Sequence, residues 1–140
     1  MERSTRQRSA IRAAIDTAQR PLSPQEVLAA SQADVAGLGL ATVYRNLKLL
    51  VEAGEIQQVT LPGDSARYEP ARQAHHHHFQ CTRCQRVFDV HRCPGDMAQL
   101  APPGFLVESH DLTLYGCCQD CAPPAAAPRG RRVPVAVRQG

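Results

Sequence analysis

Residues 75–84 read His-His-His-His-Phe-Gln-Cys-Thr-Arg-Cys, and this stretch decides how the second half of the chain folds. A run of four histidines directly before a cysteine pair predicts an extended segment, whose successive side chains point to opposite faces. His76 and His78 then face one way, and His75 and His77 face the other. Each pair offers two imidazoles to a separate metal site, completed by distant carboxylates or histidines. A tag or a solvated loop is the alternative interpretation, but the internal position of the run favours metal binding.

Two Cys-x-x-Cys pairs predict a structural zinc site, with the ligands Cys81, Cys84, Cys118 and Cys121. Two intervening residues let one turn aim both sulfurs at the same ion. Four thiolates close a tetrahedral shell and leave no position for water or substrate, so this zinc serves folding. Two disulfides or a redox dithiol are the alternative, which the lack of a recognisable secretion signal disfavours. Cys93 and Cys117 are left as spare thiols.

The first 70 residues carry the pattern of a winged helix-turn-helix. Apolar residues recur at helical spacing, and Ser23, Pro24 and Glu26 form a start signal of cap, first-turn proline and capping-box glutamate. Gly54 is the C-cap of the third helix. The pattern predicts helices over residues 5–18, 24–31 and 41–53, and then two short strands over residues 56–61 and 67–69 that form the wing.

The third predicted helix carries side chains suited to DNA. In a helix-turn-helix this element can enter the major groove, where side chains bind phosphates, guanine edges and thymine methyl groups. A basic patch on the first helix includes Arg6. The alternative is that these side chains only form a solvated face. The candidate DNA-binding residues are Thr42, Tyr44, Arg45, Lys48 and Arg6.

Composition narrows the class of protein further. The net charge of +3 reflects a basic end, because four of the 16 basic side chains are Arg129, Arg131, Arg132 and Arg138. Residues 122–140 lack periodicity and predict a disordered basic tail. No apolar run approaches the length of a membrane span, and the polar start of the chain lacks a signal peptide. We therefore expect a cytoplasmic protein with no membrane partner.

Two other classes are weaker interpretations of the same residues. A small zinc hydrolase or deaminase needs an open metal position and a general base, for which Glu108 or Asp111 would serve. The chain has neither a Gly-rich phosphate loop nor a His-x-Glu deaminase signature, so we predict that it is not an enzyme. A zinc-ribbon interaction module would explain the cysteines but not the helix-turn-helix.

Taken together, the motifs resemble the ferric uptake regulator family over residues 5–121. They are Gly-Leu-Ala-Thr-Val-Tyr-Arg-Asn-Leu at residues 39–47, the histidine run and the two cysteine pairs. The resemblance implies an α+β fold, with a winged-helix DNA-binding domain over residues 1–70 and a small α/β dimerisation domain over residues 71–121. It also implies a homodimeric repressor that binds double-stranded operator DNA when metal fills a site at the hinge. No small-molecule substrate is implied.

The resemblance also assigns ligands. It implies a regulatory site of Glu69, His76, His78 and Asp89, and a third site of His75, His77, Asp96 and His110. Pro21 stands where many iron and peroxide sensors carry a histidine, and His77 stands where iron sensors often carry aspartate. The hinge cysteine of many zinc sensors is also not evident. We therefore expect regulatory Zn²⁺ and control of zinc uptake genes, with Fe²⁺, Mn²⁺ or peroxide sensing as alternatives.

Overall fold

The computed structural model describes residues 2–71 and 74–122, and its helices precede its sheets. Within these residues the elements are α1 (Glu2–Ala18), α2 (Pro24–Ser31), α3 (Leu40–Glu52), β1 (Ile56–Val59), β2 (Arg67–Pro70), β3 (His77–Cys81), β4 (Val87–Val90), a 3-10 helix (Ala98–Leu100) and β5 (Thr113–Gly116). The predicted α+β class is confirmed. The tail that the sequence predicts to be disordered lies outside the described residues from position 123 onward.

The three helices pack around one apolar core. α3 contributes Val43, Leu47 and Leu50, and α1 contributes Ile11 and Ile15. All five side chains are at most 1% exposed. Their spacing is that of one helix face, so the predicted apolar stripes are the buried faces.

Local signals set the ends of α2 and α3. The backbone N–H of Glu26 donates to Ser23 Oγ at 3.2 Å, and the N–H of Ser23 donates to Glu26 Oε1 at 2.9 Å. This is the predicted capping box, and it satisfies two backbone donors that have no partner inside the helix. After α3, Gly54 has a φ of 77°, in the left-handed region that favours glycine.

β1 and β2 form the wing, an antiparallel hairpin in which Gln57 lies opposite Glu69. Tyr68 of β2 also pairs with Leu22, which lies just before α2. Each of these two residues donates its N–H to the carbonyl of the other, at 2.9 and 2.8 Å. The chain entering α2 is thereby tied to the wing, and the predicted winged helix-turn-helix is confirmed.

The second sheet has the strand order β4-β3-β5, with the histidine strand in the centre. β3 runs antiparallel to β4, so that His78 lies opposite Asp89. It runs parallel to β5, so that Cys81 lies beside Gly116. The central position of β3 brings residues from both flanking strands to its histidines and cysteines.

The halves of the chain meet at an apolar contact and around a buried arginine. Val87 of β4 packs against Val59 and Leu61 of the wing. The guanidinium of Arg67, whose side chain is only 7% exposed, donates to Asp64 Oδ2 at 2.6 Å, Gln85 O at 2.7 Å and Glu26 Oε1 at 3.3 Å. A buried cation is tolerated because charged and polar acceptors surround it.

The element bounds in the second half differ slightly from those predicted. The sequence predicts strand-like stretches at residues 79–81 and 112–115 and a helix near residues 96–100. β3 begins instead at His77, and β5 is displaced by one residue. The helix predicted near residues 96–100 is a single 3-10 turn. Prolines flank this turn at positions 94, 102 and 103, and proline lacks the N–H that a longer helix would need. Neither described segment contains a helix of the length and apolar character that a bilayer crossing requires.

Candidate metal centres

The four cysteines predicted to bind zinc converge where β3 and β5 end. We call Cys81, Cys84, Cys118 and Cys121 the cysteine cluster; their sulfurs lie within 4.8 Å of one another, and none is in a disulfide. The sulfurs of Cys84 and Cys118 are 3.8 Å apart. A tetrahedral zinc with bonds of about 2.3 Å holds its sulfurs roughly 3.8 Å apart, so the spacing fits that ion.

The surroundings of these sulfurs favour thiolates. The backbone N–H groups of Arg83, Cys84 and Cys118 donate to Cys81 Sγ at 3.3–3.4 Å. Hydrogen bonding, chiefly from the Cys84 backbone, lowers the pKa of Cys81 to about 6. The hydrogen bond from Arg86 Nε lowers the pKa of Cys84. The pKa of Cys121 shifts in the other direction, because the neighbouring sulfur of Cys118 and burial raise it to about 12. The raised pKa of Cys121 reflects the repulsion among thiolates at this spacing, which a bound cation would remove, and the donor set fits such an ion.

A second set of ligands lies between the wing and the histidine strand. This hinge cluster consists of Glu69, His76, His78 and Asp89. His76 Nε2 lies 3.2 Å from Glu69 Oε2 and 3.3 Å from Asp89 Oδ1. His78 Nε2 lies 3.6 Å from Glu69 Oε1 and 3.5 Å from Asp89 Oδ1. A tetrahedral ion with bonds of about 2.0 Å separates its ligand atoms by roughly 3.3 Å, close to this spacing.

The hinge cluster has polar atoms that the protein does not satisfy. Among the described residues, His78 Nε2 and Asp89 Oδ1 are buried without a hydrogen-bond partner. His76 Nδ1 lies 2.8 Å from the Ala74 carbonyl, so it carries the ring proton and directs the lone pair of Nε2 toward the carboxylates. A lone pair facing carboxylates is repelled unless a proton or a metal ion lies between them. The residues therefore fit a bound cation.

The two carboxyl groups of the hinge cluster titrate differently. Burial opposes ionisation of Glu69, but contacts from His78 and Gln57 outweigh it and lower the pKa of Glu69 to about 2. Burial and the adjacent Glu69 raise the pKa of Asp89 to about 6. The pKa of His76 is also raised, because its contacts with Ala74 and the carboxylates outweigh its burial. A metal ion would therefore compete with protons for Asp89 and His76.

The third set of ligands differs from the one that the family resemblance implies. His75, His77 and His110 come together, but the fourth member is Cys93 in place of Asp96. Cys93 Sγ lies 3.2 Å from His110 Nε2. The carboxylate of Asp96 instead accepts a hydrogen bond from the Ala98 N–H at 2.9 Å, next to the 3-10 turn. Asp96 is thus engaged elsewhere. We call His75, His77, Cys93 and His110 the outer cluster.

The candidate DNA-binding side chains lie on the surface. On α3, Tyr44 is 48% exposed, Arg45 and Lys48 are exposed, and Thr42 is partly exposed. Arg45 Nη2 lies 3.4 Å from Thr42 Oγ1, at the limit of a hydrogen bond. Arg6 is exposed on α1. Their accessibility agrees with a role in binding DNA, which remains a prediction.

The sequence does not predict three side chains that the structure brings to these clusters. Arg86 donates to Cys84 Sγ at 3.1 Å. The ring of His91 lies 5.6 Å from that of His76. Cys93, predicted to be a spare thiol, joins the outer cluster. Of these three, only His91 could have been found from the sequence. It lies two positions after Asp89, so alternation along an extended chain places it on the same face as Asp89.

Comparisons with known proteins agree with one another. The model described as the ferric uptake regulator family matches residues 2–115. The peroxide operon regulator of Bacillus subtilis is 32% identical over 124 residues, which cover 86% of this chain and 84% of that protein. The ferric uptake regulation protein of Bordetella parapertussis is 36% identical over 107 residues, covering 73% and 76%. A solved zinc-bound manganese uptake regulator matches with a TM-score of 0.71 and 28% identity, covering 80% and 87%.

With the hinge cluster free of metal, we expect the folded protein to lose stability as the pH rises from the ordinary aspartate pKa of 3.8 through about 6, and further above the ordinary histidine pKa of 6.5. The pKa values of Asp89 and His76 are raised, so both bind protons more tightly in the folded chain than in the unfolded chain. That stabilisation is present at low pH and is lost as the pH rises through the folded pKa, about 6 for Asp89. The measurement is the melting temperature of wild type and of Asp89→Asn as a function of pH. Equal pH dependence in both proteins would contradict the assignment.

Removing one sulfur from the cysteine cluster should unfold the second half of the chain. A structural zinc contributes on the order of 10 kcal/mol to folding, and three ligands hold it less tightly. We expect Cys84→Ser to lose zinc and to unfold or become monomeric, as measured by elemental analysis, circular dichroism and size-exclusion chromatography. The matched control is Cys117→Ser, because Cys117 lies outside all three clusters. A stable, zinc-containing Cys84→Ser protein would rule out this structural role.

Proposed function

Because the chain belongs to the ferric uptake regulator family, we propose that it is a metal-dependent transcriptional repressor that binds operator DNA as a homodimer. The observation that carries the proposal is the composition of the hinge cluster. Glu69 comes from β2 of the wing, and His76, His78 and Asp89 come from the second half. An ion bound there joins the DNA-binding half to the other half of the chain.

The regulatory step follows from the electrostatics of the hinge cluster. Two buried carboxyl groups repel each other when both are ionised, and burial together with this repulsion raises the pKa of Asp89 to about 6. Glu69, His76, His78 and Asp89 would hold a divalent cation, whose positive charge would favour ionisation of both carboxyl groups and would satisfy His78 Nε2 and Asp89 Oδ1. Glu69 is then held against β3 and β4. The wing, and α3 through the shared core, are fixed in one orientation for DNA binding.

The DNA-binding surface is α3 with the first helix beside it. Tyr44 offers an aromatic face for a thymine methyl group, and Arg45 offers a guanidinium for guanine or phosphate. Lys48, Thr42 and Arg6 supply phosphate contacts, which set affinity more than sequence preference. These side chains are at least partly exposed, and the opposite face of α3 is buried in the core.

The second half presents a surface suited to pairing with another copy of the chain. Its large exposed apolar side chains are Leu100, Phe105, Leu106, Leu114 and Tyr115, between 52% and 84% exposed. Contiguous exposed apolar side chains are typical of an interface between subunits, and we propose that these five side chains contribute to one. The two α3 helices of one dimer would bind two half-sites of a symmetric operator.

We propose zinc as both the structural and the regulatory metal. Four thiolates select zinc at the cysteine cluster. Two imidazoles and two carboxylates also bind zinc tightly, because zinc exceeds manganese and iron in affinity for most such sites. The same oxygen-rich set accepts Fe²⁺ or Mn²⁺, and one relative is a peroxide operon regulator. Iron, manganese or peroxide sensing is therefore the second candidate, and zinc uptake genes are the proposed targets under the first.

Substitutions on α3 should weaken DNA binding without changing metal content. A good contact to a base is worth about 1–3 kcal/mol, so Arg45→Ala or Tyr44→Ala should weaken binding roughly 5- to 100-fold. The measurement is fluorescence anisotropy with a duplex selected from a random pool by the zinc-loaded wild type. Arg83→Ala is the matched control, since it removes an exposed arginine from the second half. Equal losses for Arg45→Ala and Arg83→Ala would contradict the assignment to α3.

Loss of one hinge ligand should abolish the metal response. We expect His76→Ala to keep one tightly held zinc per chain on the cysteines and to bind the selected duplex weakly at every metal concentration. Wild type is titrated in parallel with Zn²⁺, Fe²⁺ and Mn²⁺, and the ion that restores binding at its cellular concentration is the sensed metal. Wild-type metal dependence in His76→Ala would refute the hinge assignment.

A further inference from the structure

The outer cluster gathers its ligands from three separate places in the second half. His77 is the first residue of β3, and His75 lies two residues before it. Cys93 follows β4, and His110 precedes β5. The ring centroids of His75, His77 and His110 lie 4.5–5.1 Å apart. The four ligand atoms lie within 4.8 Å of one another. None of these residues belongs to the hinge or cysteine cluster, so the outer cluster is a separate site.

His77 is an independent sign that this cluster binds a ligand. Its side chain is 2% exposed, and Nε2 is buried without a hydrogen-bond partner among the described residues. Its Nδ1 accepts a hydrogen bond from the Leu112 N–H at 3.2 Å. Buried polar atoms are rarely left without a partner, because each costs about 1–3 kcal/mol. A cation among the three imidazoles would engage the nitrogen that the protein leaves unsatisfied.

From this arrangement we propose that the outer cluster is a metal site of three imidazoles and one thiolate, with Cys93 as the ligand where the family resemblance implies a carboxylate. Cys93 Sγ and His110 Nε2 are 3.2 Å apart, near the roughly 3.5 Å expected of sulfur and nitrogen on one tetrahedral zinc. A thiolate selects softer ions than a carboxylate does. The two faces of β3 therefore differ in chemistry, and the outer face takes a thiophilic divalent cation such as zinc.

The ion would order a part of the chain that has little else to hold it. No residue from 91 to 112 is buried, and within this stretch the regular structure is one 3-10 turn. Cys93 and His110 lie near the two ends of the stretch, and both would be tied to β3 through the ion. Coordination through His77 Nε2 would move the ring proton to Nδ1, where it faces the Leu112 N–H. Two donors would then face each other, so the Leu112 amide must move away. Its NMR resonance would report the binding of the ion.

Cobalt(II) tests the thiolate directly. Protein that retains zinc on the cysteine cluster is titrated with Co²⁺, and absorption is followed in the near ultraviolet, where sulfur-to-cobalt charge transfer appears. We expect wild type and Cys117→Ser to show this band and Cys93→Ser to lack it. Zinc affinity at this site should fall about 10- to 100-fold in Cys93→Ser, as measured by competition with a chelating dye. A band of equal strength in Cys93→Ser would overturn the proposal.

A second measurement does not depend on cobalt. Two further equivalents of Zn²⁺, enough for both the hinge and the outer cluster, should slow alkylation of Cys93 by iodoacetamide and slow hydrogen exchange over residues 91–112, both followed by mass spectrometry. His110→Ala should remove both effects. Glu69→Ala, which disables only the hinge cluster, should retain them, so failure of this site is distinguishable from failure of the proposed regulatory site. Unchanged alkylation of Cys93 with and without Zn²⁺ would overturn the proposal.

Discussion

The alternation of side chains along one extended strand is the constraint on which both histidine clusters depend. β3 lies between β4 and β5, so its backbone is fixed by hydrogen bonds on both sides. His76 and His78 then face Glu69 of the wing, and His75 and His77 face His110. A shift of one residue in register would exchange the two sets of histidines. Four identical residues in a row thereby acquire two different environments.

The two faces of β3 differ in how the protein tolerates buried charge. The hinge face combines two carboxyl groups with two imidazoles, and the pKa values of Asp89 and His76 are raised there. The outer face contains no carboxylate ligand, and burial together with the neighbouring His75 and His110 lowers the pKa of His77. The hinge face thus compensates excess negative charge. The outer face disfavours positive charge on its imidazoles until a cation is bound to them as a ligand. In both cases the protein alone leaves polar atoms without partners.

Local patterns predict most of this fold, because they depend on residues that are close in the sequence. The capping box at Ser23, the apolar stripe of α3 and the pairing of histidines by alternation all follow from short-range geometry. The sequence also predicts two Cys-x-x-Cys pairs in one cluster. It does not predict that Cys93 replaces Asp96, since that depends on where the stretch between β4 and β5 passes over β3. The parallel pairing of β3 with β5 is equally long-range, and no local signal encodes it.

Arg67 has a consequence for how the chain loses its structure. Its guanidinium contacts Glu26 of α2, Asp64 of the wing and the carbonyl of Gln85, which lies in the turn that follows Cys84. Opening any one of these three elements leaves a buried cation short of acceptors, which raises the free energy of every partly open form. Partial unfolding is therefore penalised relative to complete unfolding. Unfolding of the second half alone therefore costs the hydrogen bond between Arg67 and Gln85 in addition to its own contacts, so the stabilities of the two halves are coupled.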